Sequence, residues 1–244
     1  MRDEVILVGK RCGLVIKDCA EKVTHFCEHD AFPHYDRIGY KHSKEGDRFQ
    51  SELLTAMNKA MMARSSRKAW APLLDRPLAV LAEVPIDVDL IESSDEKYLV
   101  AREQVRKCYT VLTAEKWITD MAASKMLYLK RPRLIAISDS YVREALGIED
   151  PNMREYPWRA PFFAERALSV GDVVRRIGIK NREVLNIIQE KVAPTEVSKA
   201  RVLDILIWVD MAIAAGHPNW SYVAKLRNWE SIGTNLKGLR TETD

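Results

Sequence analysis

Between Ser124 and Arg133 the sequence places four cations, Lys125, Lys130, Arg131 and Arg133, and one carboxylate, Asp139, follows them. Tyr141 stands two positions beyond that carboxylate and Trp117 stands upstream of the cations. Two kinds of chemistry suit this arrangement. In the first, Asp139 is an ordinary helix N-cap and the cations are solvated around a turn. In the second, Asp139 is a reacting acid behind a phosphate-binding lip. Breaking the bond between a base and deoxyribose builds positive charge on the sugar, and a carboxylate beside the ring stabilises that charge or activates the attacking water. Lys125, Lys130, Arg131 and Arg133 would hold the flanking phosphates, with backbone donors from the helix start near Ser124. Trp117 and Tyr141 would then contact the base or sugar of a nucleotide turned out of the stack; otherwise they are core. Arg64, Arg67 and Lys68 form a second basic cluster, and Arg175, Arg176, Lys180 and Arg182 a third. If these share a face with the first cluster, they make a track for double-stranded DNA.

Other chemistries find less support. Cys12, Cys19, Cys27 and Cys108 read as reduced thiols in a chain without an export signal. The string HFCEH, with His25, Cys27 and His29, matches no familiar zinc spacing, so buried cysteines on an N-terminal helix are expected there and no metal. No cofactor-binding motif is present. The net charge of +3 is too small to imply nucleic acid by itself, so local clustering carries that case. No apolar run approaches the length of a membrane span, and a cytoplasmic location follows by default.

Behind these residues the elements are helical. The 244 residues suffice for one well-buried domain or two lobes sharing one. Helical periodicity with cap-like starts predicts helices over residues 47–63, 66–74, 94–112, 113–129, 138–147, 154–168, 170–177, 181–192, 197–216 and 220–229. Pro132 forces an extended link after the fourth of these. The stretch 197–216 is apolar on most of its circumference and predicts a buried central helix, in which Asp204 or Asp210 pairs with a cation such as Arg201. Whether residues 1–40 add a small strand stays open. The fold class expected is all-α.

The run WITDMAASKMLYLKRPRLIAISDSYVREALG resembles the core of the helix-hairpin-helix DNA glycosylase superfamily. Without a gap, Ala123 falls on the alanine of the hairpin helix, Asp139 on the catalytic aspartate, and Leu146-Gly147 on the closing Leu-Gly. The strings YDRIG, ASKMLYLKRPRL with DSYV, and VSKARVLDILIWVD are similar to an uncharacterised bacterial family related to that superfamily. The resemblance implies a two-lobed helical protein over residues 1–244, with a middle helical barrel at 45–147 and a second lobe from 1–44 and 148–244. It implies a monomeric, monofunctional DNA N-glycosylase that uses Asp139 on duplex DNA, modified bases included, and leaves an abasic site. A non-catalytic DNA-binding protein of the same fold is the alternative.

The departures from the superfamily pattern are specific. Trp117-Ile118-Thr119 stands in place of the hairpin glycines, and Met121 in place of the lysine that forms a Schiff base in lyase-competent members. A thioether is no such nucleophile, so no lyase activity is expected, although Lys125 lies one turn further on. No cysteine follows Cys108, which excludes the iron–sulfur cluster of some members.

Overall fold

A computed structural model describes residues 4–6, 15–29, 32–43, 47–50, 52–53, 55, 73, 78–115, 118–148, 160–192 and 197–229. The all-α expectation holds: the described residues are predominantly helical. The one sheet among them is a pair of two-residue antiparallel strands, β1 (Val5–Ile6) and β2 (Val15–Ile16), with Val5 opposite Ile16. The helices are α1 (Cys19–His29), α2 (Phe32–His42), α3 (Ala79–Ala82), α4 (Asp95–Ala114) and α5 (Asp120–Lys130). They continue with α6 (Ser140–Ala145), α7 (Ala160–Lys180), α8 (Arg182–Val192), α9 (Lys199–Ala214) and α10 (Pro218–Arg227).

Helix starts follow side-chain chemistry. The Ser94 hydroxyl accepts from the Lys97 N–H, Thr119 from Ala122, Asp139 from Tyr141 and Ser198 from Arg201, each meeting one of the backbone donors left over at an N-terminus. Two boundaries differ from the sequence expectation. Residues 113–129 do not form one helix: α4 ends at Ala114, and α5 restarts at Asp120 behind the Thr119 cap. The two helices expected at 154–168 and 170–177 are one, α7, with Gly171 accommodated inside it. The 47–63 and 66–74 helices fall mostly outside the described residues, although Phe49 and Leu53 are buried.

α9 is the central helix. Val202, Leu203, Ile205, Leu206, Ile207 and Val209 are fully buried, so apolar side chains cover nearly its whole circumference. It packs against α1, α6, α7, α8 and α10. α7 lies along α4 and closes tightly on the loop before it. A Cβ on Gly178 would come 2.4 Å from Ile91 Cδ1, so only glycine lets α7 approach there. Gly39 lets α2 come close to Leu129 of α5, where an added Cβ would lie a tight 3.2 Å from the Leu129 backbone. No helix among the described residues is long and apolar enough to cross a membrane.

Candidate functional site

Asp139 is placed by a relay of short contacts. Thr119 starts α5, which puts Asp120 in its first turn, fully buried. Asp120 Oδ2 accepts from the Ser138 hydroxyl at 2.7 Å, and the Ser138 N–H donates to Ser124 Oγ at 2.9 Å. Ser124 Oγ in turn donates to the Met121 carbonyl at 2.9 Å, which ties the residue before Asp139 to the same turn of α5. Arg143 Nη1 donates to the Ser138 carbonyl at 2.7 Å, and Arg166 of α7 clamps Asp120 through Nη2 at 2.5 Å and Nε at 2.9 Å. Two helices, α5 and α6, therefore hold Ser138, with α7 bracing Asp120 behind it, and leave its neighbour Asp139 at the N-terminus of α6.

The Asp139 carboxylate has two partners. Oδ1 accepts from the Tyr141 N–H at 3.1 Å, and Oδ2 faces Lys125 Nζ at 3.3 Å. The Asp139 side chain keeps 17% of its surface exposed and that of Lys125 keeps 9%. Burial pulls the Lys125 ammonium pKa down, against the attraction of Asp139. Deeper still lies a second charged layer. Arg201 of α9 bridges Asp204 and, at 3.3 Å, Asp36 of α2. The Tyr128 hydroxyl donates to Asp36 at 2.5 Å, and the Tyr35 hydroxyl donates to the Lys125 carbonyl at 2.5 Å. Burial pushes the Asp204 carboxyl up to about 7, opposed by Arg201, with the Asp139 charge adding to the rise. Asp204 Oδ1 has no hydrogen-bond partner among the described residues.

Of the expected phosphate contacts, the structure brings Ser124 and Lys125 to Asp139 but turns Lys130 and Arg131 inward. Lys130 is fully buried. The Arg131 guanidinium donates to the carbonyls of Val84, Lys130 and Leu81, each at 2.8 Å, which spends it on the ends of α3 and α5. Arg133 alone of the four cations reaches solvent, at 62% exposure, and it sits 3.3 Å from Asp89. The four-cation lip is thus corrected to one exposed arginine: Lys125 faces Asp139, Lys130 is buried, and the carbonyls left at the helix ends recruit Arg131 from inside. Ser124 is buried as well and serves Ser138 rather than a surface phosphate. Arg175 is buried against the carbonyls of Leu90 and Ser93, while Arg176 and Lys180 stay exposed. Arg64, Arg67, Lys68 and Trp117 lie outside the described residues.

Tyr141 is half-buried, and its ring meets Trp208 of α9 at 6.1 Å. Asp120, Arg143, Arg166, Asp204 and Trp208 carry the site without having been singled out for it in the sequence. The only signal for them was polarity inside otherwise apolar helices. A pocket between α4, α7 and residues 134–136, lined by Tyr98, Arg102, Tyr109 and Gly171, has an accessible volume of about 20 Å³. That is room for about one water molecule, and Asp139 does not line it.

Residues 21–211 match a family described only as a family of unknown function, DUF6308. No curated protein and no solved structure matches the chain.

Proposed function

The chain belongs to the DUF6308 family, and we propose that it is a two-lobed protein of the helix-hairpin-helix glycosylase type, a monofunctional DNA N-glycosylase with Asp139 as its working carboxylate. The observation that carries this reading is the Lys125–Asp139 pair. A carboxylate stands at a helix N-terminus beside Ser138, which α5 and α6 hold in place, is still partly open to solvent, and faces one amine across 3.3 Å. A nucleotide turned out of duplex DNA brings a sugar whose charge rises as the base leaves. A carboxylate fixed in advance stabilises that charge without having to reorganise, and pre-positioning of this kind is what lowers such a barrier. Lys125 supplies the counter-charge while the site is empty. Double-stranded DNA is the partner, and the protein acts as a monomer.

A second reading is a helical DNA-binding protein without catalysis. It draws on a specific observation: both Asp139 oxygens already have partners, and Lys130 and Arg131 are committed to the interior. One experiment separates the two. The protein is incubated with duplexes bearing a panel of modified bases and with hypermodified phage DNA, and abasic sites are revealed with hot alkali. Breaks with wild type and none with Asp139→Asn are expected. Breaks without alkali, together with a borohydride-trapped adduct that disappears in Lys125→Met, would make the protein a lyase. Salt-sensitive DNA binding with no breaks on any substrate would transfer the function to the non-catalytic reading.

A further inference from the structure

We infer that His25 and His29 of α1 form a binding site for a divalent transition-metal ion such as Zn²⁺ or Ni²⁺. The site stands apart from Asp139 and from the glycosylase reading. In the sequence the two histidines share the string HFCEH with Cys27, and the three together fit no zinc spacing. The helix takes them apart. Residues two positions apart on an α-helix do not face each other, so Cys27 points away from both histidines and packs against the core instead. His25 and His29 are four positions apart, one turn on the same face, and their ring centroids lie 4.5 Å from each other. Two histidines in that relation on one helix can present their imidazoles to one metal ion.

The two rings are held unequally. His25 is half-buried, and its ring stands edge-on to Trp220 at 5.3 Å and to Trp229 at 6.0 Å. Trp229 is fixed in turn, because its Nε1 donates to Glu21 Oε2 at 3.1 Å, and Glu21 lies one turn before His25 on α1. His25 Nδ1 is enclosed, which leaves Nε2 as the nitrogen that coordinates. The His29 side chain is 60% exposed, with its Nε2 3.6 Å from Glu28 Oε2. One ligand is therefore set in advance by packing, the second can turn to meet the ion, and a carboxylate beside the second favours a cation. No third His, Cys, Asp or Glu completes a cluster among the described residues, so water fills the remaining positions and the ion is exchangeable. The donor type decides which ions bind. Imidazole nitrogen suits zinc, copper and nickel, whereas calcium and magnesium take oxygen ligands.

The test is calorimetric titration of the full chain with Zn²⁺ at about pH 7.5, on wild type, His29→Ala and Cys27→Ser, with Mg²⁺ as the control ion. His29 is exposed, so its alanine variant should fold, and far-ultraviolet circular dichroism checks this; His29→Gln replaces it if it does not. Wild type and Cys27→Ser are expected to bind a single equivalent of Zn²⁺ with like affinity. His29→Ala should bind at least about ten-fold more weakly, since even the outer partners of a metal site act on that scale. Zn²⁺ should raise the melting temperature of wild type and leave that of His29→Ala unchanged. Binding should also vanish at about pH 5.5, where protons hold the imidazoles. No Zn²⁺ binding by wild type overturns the site, and so does equal affinity in His29→Ala. Binding that is lost in Cys27→Ser but kept in His29→Ala overturns it too, by assigning the ion to the thiol.

Discussion

Asp204 shows how a single buried carboxyl ties the site to solution conditions. It is 2% exposed, Arg201 donates to one of its oxygens, and the other has no partner among the described residues. Burial pushes it from 3.8 up to about 7. A carboxyl raised in the folded state binds a proton that the unfolded chain has already lost. Its contribution to stability is complete below the unfolded value and drains away as pH rises through the folded one. Between about pH 4 and about pH 7 the native state holds that proton and the unfolded state does not, so stability falls across this window and levels above it. Asp204→Asn removes the titration while keeping the shape. The prediction concerns the difference between wild type and Asp204→Asn in urea unfolding free energy, measured from pH 4.5 to pH 8.5. That difference should decline toward neutrality and then flatten, and parallel curves across the range would refute it. Because Asp204 couples to Asp139 and Lys125, the same window should appear in the pH dependence of any excision.

At the scale of elements, Asp120 is the joint. It stands at the start of α5, takes the Ser138 hydroxyl from the link to α6, and receives Arg143 of α6 and Arg166 of α7. Asp120→Asn removes the negative charge between two buried guanidinium groups, and breaking a buried pair of this kind costs about 3 kcal/mol. Chemical denaturation measures that loss, and a variant as stable as wild type would show that Asp120 carries no such role. The variant also weakens the acceptor that holds the Ser138 hydroxyl, so any Asp139-dependent excision should fall further than the lost stability explains. Much of this frame was legible beforehand. Ser94 and Asp139 were legible as caps from their short polar side chains, and the apolar circumference of α9 was plain. The break between α4 and α5 was not legible, since helix-forming residues stand on both sides of it and only the Thr119 cap betrays the restart. The site itself was half legible. Asp139 and Lys125 were singled out, but their contact spans 14 residues and depends on a link that is not the extended one expected at Pro132: residues 132–134 form a turn, with the Leu134 and Ile135 N–H groups donating to the Arg131 carbonyl. The inward turn of Lys130 and Arg131 was hidden for the same reason. Whether a cation faces water or a carbonyl is decided by the elements packed around it.

Across the whole molecule, the N-terminal helix and the central helix are joined by a charge pair in an apolar setting. Lys22 of α1 donates to Asp210 of α9 at 2.8 Å, and both side chains are 0% exposed. Removing two charges from water is expensive, and their mutual attraction recovers that cost only when the pair is well made. Such a pair therefore specifies how α1 docks on α9 more than it stabilises the docking. The consequence is an asymmetry between single and double substitutions. Lys22→Met alone leaves Asp210 charged in the interior, Asp210→Leu alone does the same to Lys22, and each should cost about 3–5 kcal/mol. Lys22→Met with Asp210→Leu removes both charges and fills the space with apolar atoms, and should lie close to wild type or above it. A double-mutant cycle on urea unfolding measures the coupling directly. If the two single losses simply add in the double variant, the pair contributes two independent interactions and no specificity. If the double variant recovers stability but loses the sharp unfolding transition, the ion pair is what holds α1 in one register on α9, and with it Tyr35 and Asp36 of the adjoining α2 beneath Lys125 and Arg201.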